Sequence, residues 1–321
     1  MQKIIWLKAF ATAIVTVALV AAGLTWRTLA TDRETDPERL DARHGDWVWG
    51  DLQNLGASIN SPGKDEHATL TETGTTMYFA SIREGGVGGY DLYVAQLEQD
   101  DWSPARPLPA PVNTPRDEYD PFVTLDGRRL FFASNRGNDG PYWDADIYVA
   151  EWDGAAWSEP EIYDSALVTP GEPDWGFTVT RDFEMLVFSS GRQPAEPGSV
   201  QIFESRWLGD RWSRPRALPA PVNSGTWEAT PYLTPDGSTL YLNSGRGKPE
   251  DGDVDIWRFE RRGGRWANAQ LMTGPFLSDG HDYDPWLTAD GRKFYFTSTR
   301  DGGLGRADIY VVERRSVDRR R

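Results

Sequence analysis

The chain has 321 residues, 39% hydrophobic and 12% aromatic, with 15 Trp, 32 Gly and 22 Pro, which excludes a disordered polypeptide and favours many short strands over long helices. Its formal net charge of -15 disfavours a phosphate-tracking surface, so no nucleic-acid partner is expected. With no Cys there is no disulfide, thiolate metal site, cysteine nucleophile or lipidated cysteine.

In chain order, Lys3 and Lys8 come first, followed by an apolar run from Phe10 to Leu24. A charged stretch before a short apolar one reads as an export signal. Cleavage after Ala22 or Ala30 and retention as an anchor are both open, because Ile4 to Leu7 extend the apolar run past Lys8. Residues 1-30 are expected to form a signal peptide or N-terminal membrane anchor, and 31-46 a polar linker. Membrane contact is expected only through that first segment.

The remainder repeats. The stretch from Asp126-Gly127 to Arg136 (DGRRLFFASNR) recurs from Asp236 to Arg246 and from Asp290 to Arg300, with weaker copies ending at Arg83 and Arg192. These arginines are 53, 56, 54 and 54 residues apart. A second column, Asp91, Asp146, Gln201, Asp255 and Asp308, opens Asp-Ile-Tyr-like triplets at spacings of 55, 55, 54 and 53. A third is a Trp before an extended, Pro-rich stretch: Trp49, Trp102, Trp157, Trp212 and Trp266. Period-two alternation around Asp-Gly turns predicts four strands per unit, with the Trp on the outermost. Trp49 precedes the first complete unit, and no Trp strand follows Tyr310. That phase is what ring closure requires, since the first strand of the chain completes the last sheet. The fold expected is all-β: a five-bladed β-propeller over 47-313, with a basic tail at 314-321. A ring without unpaired edges is expected to be a monomer.

These units resemble the WD-like propeller repeat of TolB-type periplasmic proteins, through P-x-x-x-x-D-G-x-x-L-x-F-x-S-x-R-x-G and the later D-I-Y. The resemblance covers residues 49 to 312. TolB-type rings usually have six shorter blades, whereas five of about 54 residues are counted here. The resemblance implies a periplasmic envelope protein that binds a partner on one face of the ring, and it does not imply catalysis.

Each innermost strand carries an acid, Asp65, Glu118, Asp174, Glu228 or Asp282. Recurrence in every unit argues that these carboxylates pair with the unit's own Ser-x-Arg arginine. Function is expected where the repeat breaks. Two positions further on stand His67, Asp120, Gly176, Thr230 and Asp284, and one position before the acids stand Lys64, Asp117, Pro173, Trp227 and His281. Closure makes the blades of His67 and His281 neighbours. The ligand-binding candidates are therefore His67, Asp120, Trp175, Trp227, His281 and Asp284, with an envelope protein or a glycan as partner. The alternative is a glycan-processing hydrolase using two of Glu118, Asp120, Asp282 and Asp284, since such chemistry needs paired carboxylates. No cofactor is expected; a divalent metal would fall to His67, His281 and Asp284. Trp152 and Trp207 share a repeat position and are expected to pack in the core or between blades.

Overall fold

A computed structural model describes residues 47-137, 144-164, 167-168, 172-192, 200-247 and 253-316. The expected signal segment and linker, and residues 317-321 of the basic tail, lie outside the described residues. Residues 48-315 form one compact unit, and all of its long elements are strands.

Five sheets of four strand positions make a five-bladed β-propeller. The innermost strands are β2 (Asp65–Leu70), β7 (Glu118–Val123), β11 (Asp174–Val179), β15 (Glu228–Leu233) and β19 (Asp282–Leu287). Next to them lie β3 (Thr76–Ser81), β8 (Arg129–Ser134), β12 (Met185–Ser190), β16 (Thr239–Ser244) and β20 (Lys293–Ser298). The third strands are β4 (Asp91–Glu98), β9 (Asp146–Glu151), β13 (Gln201–Arg206), β17 (Asp255–Arg262) and β21 (Asp308–Ser316). Inner strands such as β7 and β11 are buried along their whole length, because neighbouring blades cover both faces. The turn between the first two strands puts Gly74, Gly127, Gly237 and Gly291 at φ near +70°, where glycine carries no Cβ penalty. The weaker third copy makes the same turn with Phe183 at φ 57°.

The ring closes as the repeat phase requires. Strand β1 (Trp47–Asn54) is the outermost strand of the last blade, beside β21. The two run antiparallel: Asn54 donates to Asp308 at 2.8 Å at one end, and Arg315 pairs with Asp51 at 3.5 Å towards the other. The Trp49 ring packs edgewise on Phe276 and Phe294, with the Arg314 guanidinium 4.3 Å from its centroid. Arg314 and Arg315 thus belong to the last strand and not to the basic tail expected from 314 onward.

The outer strands differ from the expected pattern. In the first three blades the fourth strand is only β6 (Arg106–Pro107), β10 (Glu161–Ile162) or β14 (Arg216–Ala217). Trp102, in the two-residue β5 (Asp101–Trp102), and likewise Trp157 and Trp212 lie before it, in short hairpin pairings with the end of the third strand. Only β1 and β18 (Arg265–Leu271) are long outer strands that carry their Trp within them. Trp157 and Trp212 are buried, but Trp152 and Trp207 are largely exposed, packed edge-on or tilted against those rings at 5.3 and 5.4 Å. The repeat register of Trp152 and Trp207 marks the hairpin, not the core.

Candidate functional site

The acid column is a set of clamps. Asp174 and Asp282 meet Arg192 and Arg300 at 2.6 and 2.7 Å, and Glu118 and Glu228 meet Arg136 and Arg246 at 3.3 and 3.5 Å. Asp65 pairs with Arg83 in the same way. Each arginine also donates to a carbonyl of the preceding inter-blade loop, as Arg192 does to Leu167 and Arg300 to Pro275. Its guanidinium lies over aromatic rings of the second and third strands, such as Phe132 and Tyr148 for Arg136. The remaining carboxylate oxygen cradles the loop: Asp282 accepts from the Ser278 amide and hydroxyl at 2.7 and 2.8 Å. Glu118 accepts from Thr114 and Ser134. Burial pushes the Glu118 carboxyl up, and the Thr114 and Arg136 contacts oppose that. Glu118 and Asp282, two of the four hydrolase candidates, are fully engaged in holding blades to loops.

Two positions further, every inner strand has a β-bulge. Pairing with the second strand shifts between Glu66 and Thr69, Tyr119 and Phe122, Trp175 and Thr178, Ala229 and Tyr232, and Tyr283 and Trp286. The third residue of each strand is left-handed: His67, Asp120, Gly176, Thr230 and Asp284 have φ of 56°, 49°, 61°, 48° and 56°. An extra residue at a bulge is released from the ladder and re-aimed, and Asp, His and Gly are among the types that tolerate that backbone. Five such residues ring the axis.

Three of them meet. His67 Nδ1 is 2.9 Å from Asp120 Oδ1 and 2.9 Å from Asp284 Oδ2. The His67 amide donates to the same Asp284 oxygen at 3.2 Å, and the Thr297 hydroxyl donates to it at 3.1 Å. The imidazole retains 17% exposure, while the carboxylates retain 6% and 1%. Burial alone would push the imidazole down, but Asp120 and Asp284 outweigh it and hold His67 well above its ordinary 6.5. Burial pushes the Asp284 carboxyl up, with His67 pulling it back and Asp120 adding to the rise. The triad borders a cavity of about 30 Å³ that also touches Gly176, Thr230 and the following Pro121, Pro231 and Pro285, room for one or two waters. Below it Phe122, Phe177, Tyr232 and Trp286 pack on one another across the axis, with centroids 4.6 to 5.8 Å apart.

The other candidates separate. His281 does not join the triad: its Nε2 is 3.2 Å from Asp253, its Nδ1 accepts from the Val254 amide, and it is half-exposed. Trp175 and Trp227 do come together, 6.1 Å apart at the start of the third and fourth inner strands, and Trp227 is 41% exposed. Sequence reasoning missed the hub opposite them. Glu66 accepts from Lys64 at 3.2 Å, from Tyr90 at 2.7 Å and from Tyr283, and Tyr90 packs against Tyr119 at 6.0 Å. Burial and the Glu66 carboxylate push the Tyr283 hydroxyl well above its usual range. Glu66 stands one position from the acid column, yet strand alternation alone assigns it no partner. Among the described residues, no group of three or more His, Asp or Glu side chains has the arrangement of a metal site, and no helix is long and apolar enough to cross a membrane.

The sequence matches no known family model and no curated protein. The fold is similar to that of an α-L-arabinofuranosidase from Podospora anserina in complex with cellotriose, with a TM-score of 0.55 and 12% identity over 85% of this chain and 98% of that one. An α-L-arabinofuranosidase from Lactobacillus brevis gives 0.54 and 13%, over 81% and 92%. TolB from Acinetobacter baumannii gives 0.50 and 13%, over 84% of this chain and 64% of the other. At such identities the likeness is one of fold: the chain is a β-propeller, and these neighbours include both a TolB protein and hydrolases.

Proposed function

We propose that this chain is a noncatalytic binding module that engages an envelope protein or a glycan at the mouth of the ring, the face where the inner strands begin. The observation that carries this reading is the aromatic rim: Trp227, exposed and packed on Trp175, on the same face as the tyrosines tied down by Glu66. Flat, immobilised rings with polar neighbours suit recognition without chemistry. A hydrolase would instead need two carboxylates across a cleft that admits a sugar ring. Here Asp120 and Asp284 grip one imidazole beside a cavity of about 30 Å³, and Glu118 and Asp282 are occupied by arginines. Export to the periplasm accords with the Lys3 to Leu24 segment.

Capture from envelope extracts and a glycan array, each run with wild type and Trp227→Ala, tests this reading. Capture by wild type that is lost in the variant is the expected result. Turnover of a polysaccharide that disappears in Asp284→Ala would replace it with the hydrolase.

A further inference from the structure

The axial triad holds more negative charge than it neutralises. One imidazolium faces two carboxylates, which leaves a surplus of one negative charge. Asp120 Oδ2 and Asp284 Oδ1 are buried and have no hydrogen-bond partner, and the same holds for His67 Nε2 in the same triad and Glu228 Oε2 in the acid column. Unpaired buried acceptors cost free energy, and charged ones cost more. A surplus buried charge is relieved either by taking up a proton or by a cation.

We propose that the axial cavity receives one ammonium group, supplied by a lysine side chain of a bound protein; this rests on the binding reading above and names the chemistry it uses. Size is the first argument. About 30 Å³ admits a compact ammonium head but neither a guanidinium fork nor a sugar ring. Depth is the second. The bulge residues lie two positions inside the start of each inner strand, roughly 6-7 Å of extended chain, which a four-carbon stem spans. The walls are the third. Beside the triad the cavity is lined by Phe122, Phe177, Tyr232 and Trp286, and aromatic rings suit both an alkyl stem and the charge it carries. Approach is from the mouth, because the aromatic layer of Phe122, Tyr232 and Trp286 closes the axis beneath the triad while solvent still reaches the His67 ring. A divalent metal is the poorer occupant, since the described residues offer no three-ligand arrangement.

The test uses full-length protein, n-butylammonium, and a short lysine peptide compared with its Nε-acetylated form, by calorimetry and thermal shift at fixed ionic strength. Butylammonium and the lysine peptide are expected to bind saturably and to compete with each other. Acetylation is expected to weaken the peptide about tenfold or more, and Asp120→Asn and Asp284→Asn to weaken both ligands about ten- to hundredfold. Equal binding of the acetylated peptide to wild type overturns the proposal, and that comparison needs no variant to fold. So does saturation by potassium or sodium that the amines do not displace. If capture of the envelope partner is lost in Trp227→Ala but unchanged in a folded Asp284→Asn, the binding reading stands and the ammonium receptor falls.

Discussion

Two columns of residues, two positions apart on the same five strands, behave in opposite ways. The acid column is chemically uniform, and each member meets the same arginine in the same blade. The bulge column is uniform only in backbone: five left-handed residues carry imidazole, carboxylate, hydroxyl or no side chain at all. Repetition of side-chain chemistry therefore marks the scaffold. Repetition of backbone with varied side chains marks a site that one-sided ligands can read. The fifth, first and second blades supply the triad, whereas Gly176 and Thr230 of the third and fourth do not take part in it.

The comparison can be broken most forcefully at the acids. Asp65→Ala should strand the Arg83 guanidinium and cost about 3-5 kcal/mol, the scale of a broken buried pair; urea unfolding would read it, and a loss under 1 kcal/mol would mean that the column is ornamental. Gly176→Ala comes next. A Cβ there would sit at positive φ, 3.0 Å from Ser189 Oγ and 3.2 Å from Thr230 Cα, so about 1-3 kcal/mol of strain is expected. An unchanged melting temperature would mean that the bulge relaxes freely.

A pH series sharpens the contrast at the triad. Because the folded His67 pKa stands well above 6.5, its stabilisation is complete below pH 6.5 and disappears as pH rises through the folded value. Unfolding free energy should therefore decline on the alkaline side in wild type and stay flatter in His67→Gln. Identical slopes would show that the imidazole is not charged in the fold. Burial raises Asp284 from its ordinary 3.8, so its own contribution weakens stability as pH rises through the acid range, a different window. The smallest effect on folding belongs to the rim: Trp227→Ala should change stability by less than about 1 kcal/mol while removing ligand capture, and a large loss of stability would make Trp227 scaffold.

The ring, its closure and the arginine clamps were legible because they rest on residue spacing, which repeats preserve. The triad was half legible. His67, Asp120 and Asp284 stood out as departures from the repeat, but nothing in alternating apolar and polar residues announces a bulge, and only the bulge turns those three side chains towards one another. His281 illustrates the limit. Blade adjacency put it near His67, yet it lies before the strand begins, where the loop pairs it with Asp253. The outer tryptophans were assigned to the right repeat address and the wrong element, because a Trp followed by prolines reads as a strand whether or not it pairs along its length.

The antiparallel pairing of β1 with β21 also sets how the ring answers to force. Both ends of the described chain leave the last blade on the side away from Asp308, hence away from the mouth. Tension applied through the two ends would load the β1–β21 ladder one rung at a time, like a zipper, instead of shearing all its bonds together. In an optical trap the first event should be release of β1 at low force, opening the ring while the four complete blades persist. A circular permutant that joins these ends and opens an inter-blade loop elsewhere should remove that event.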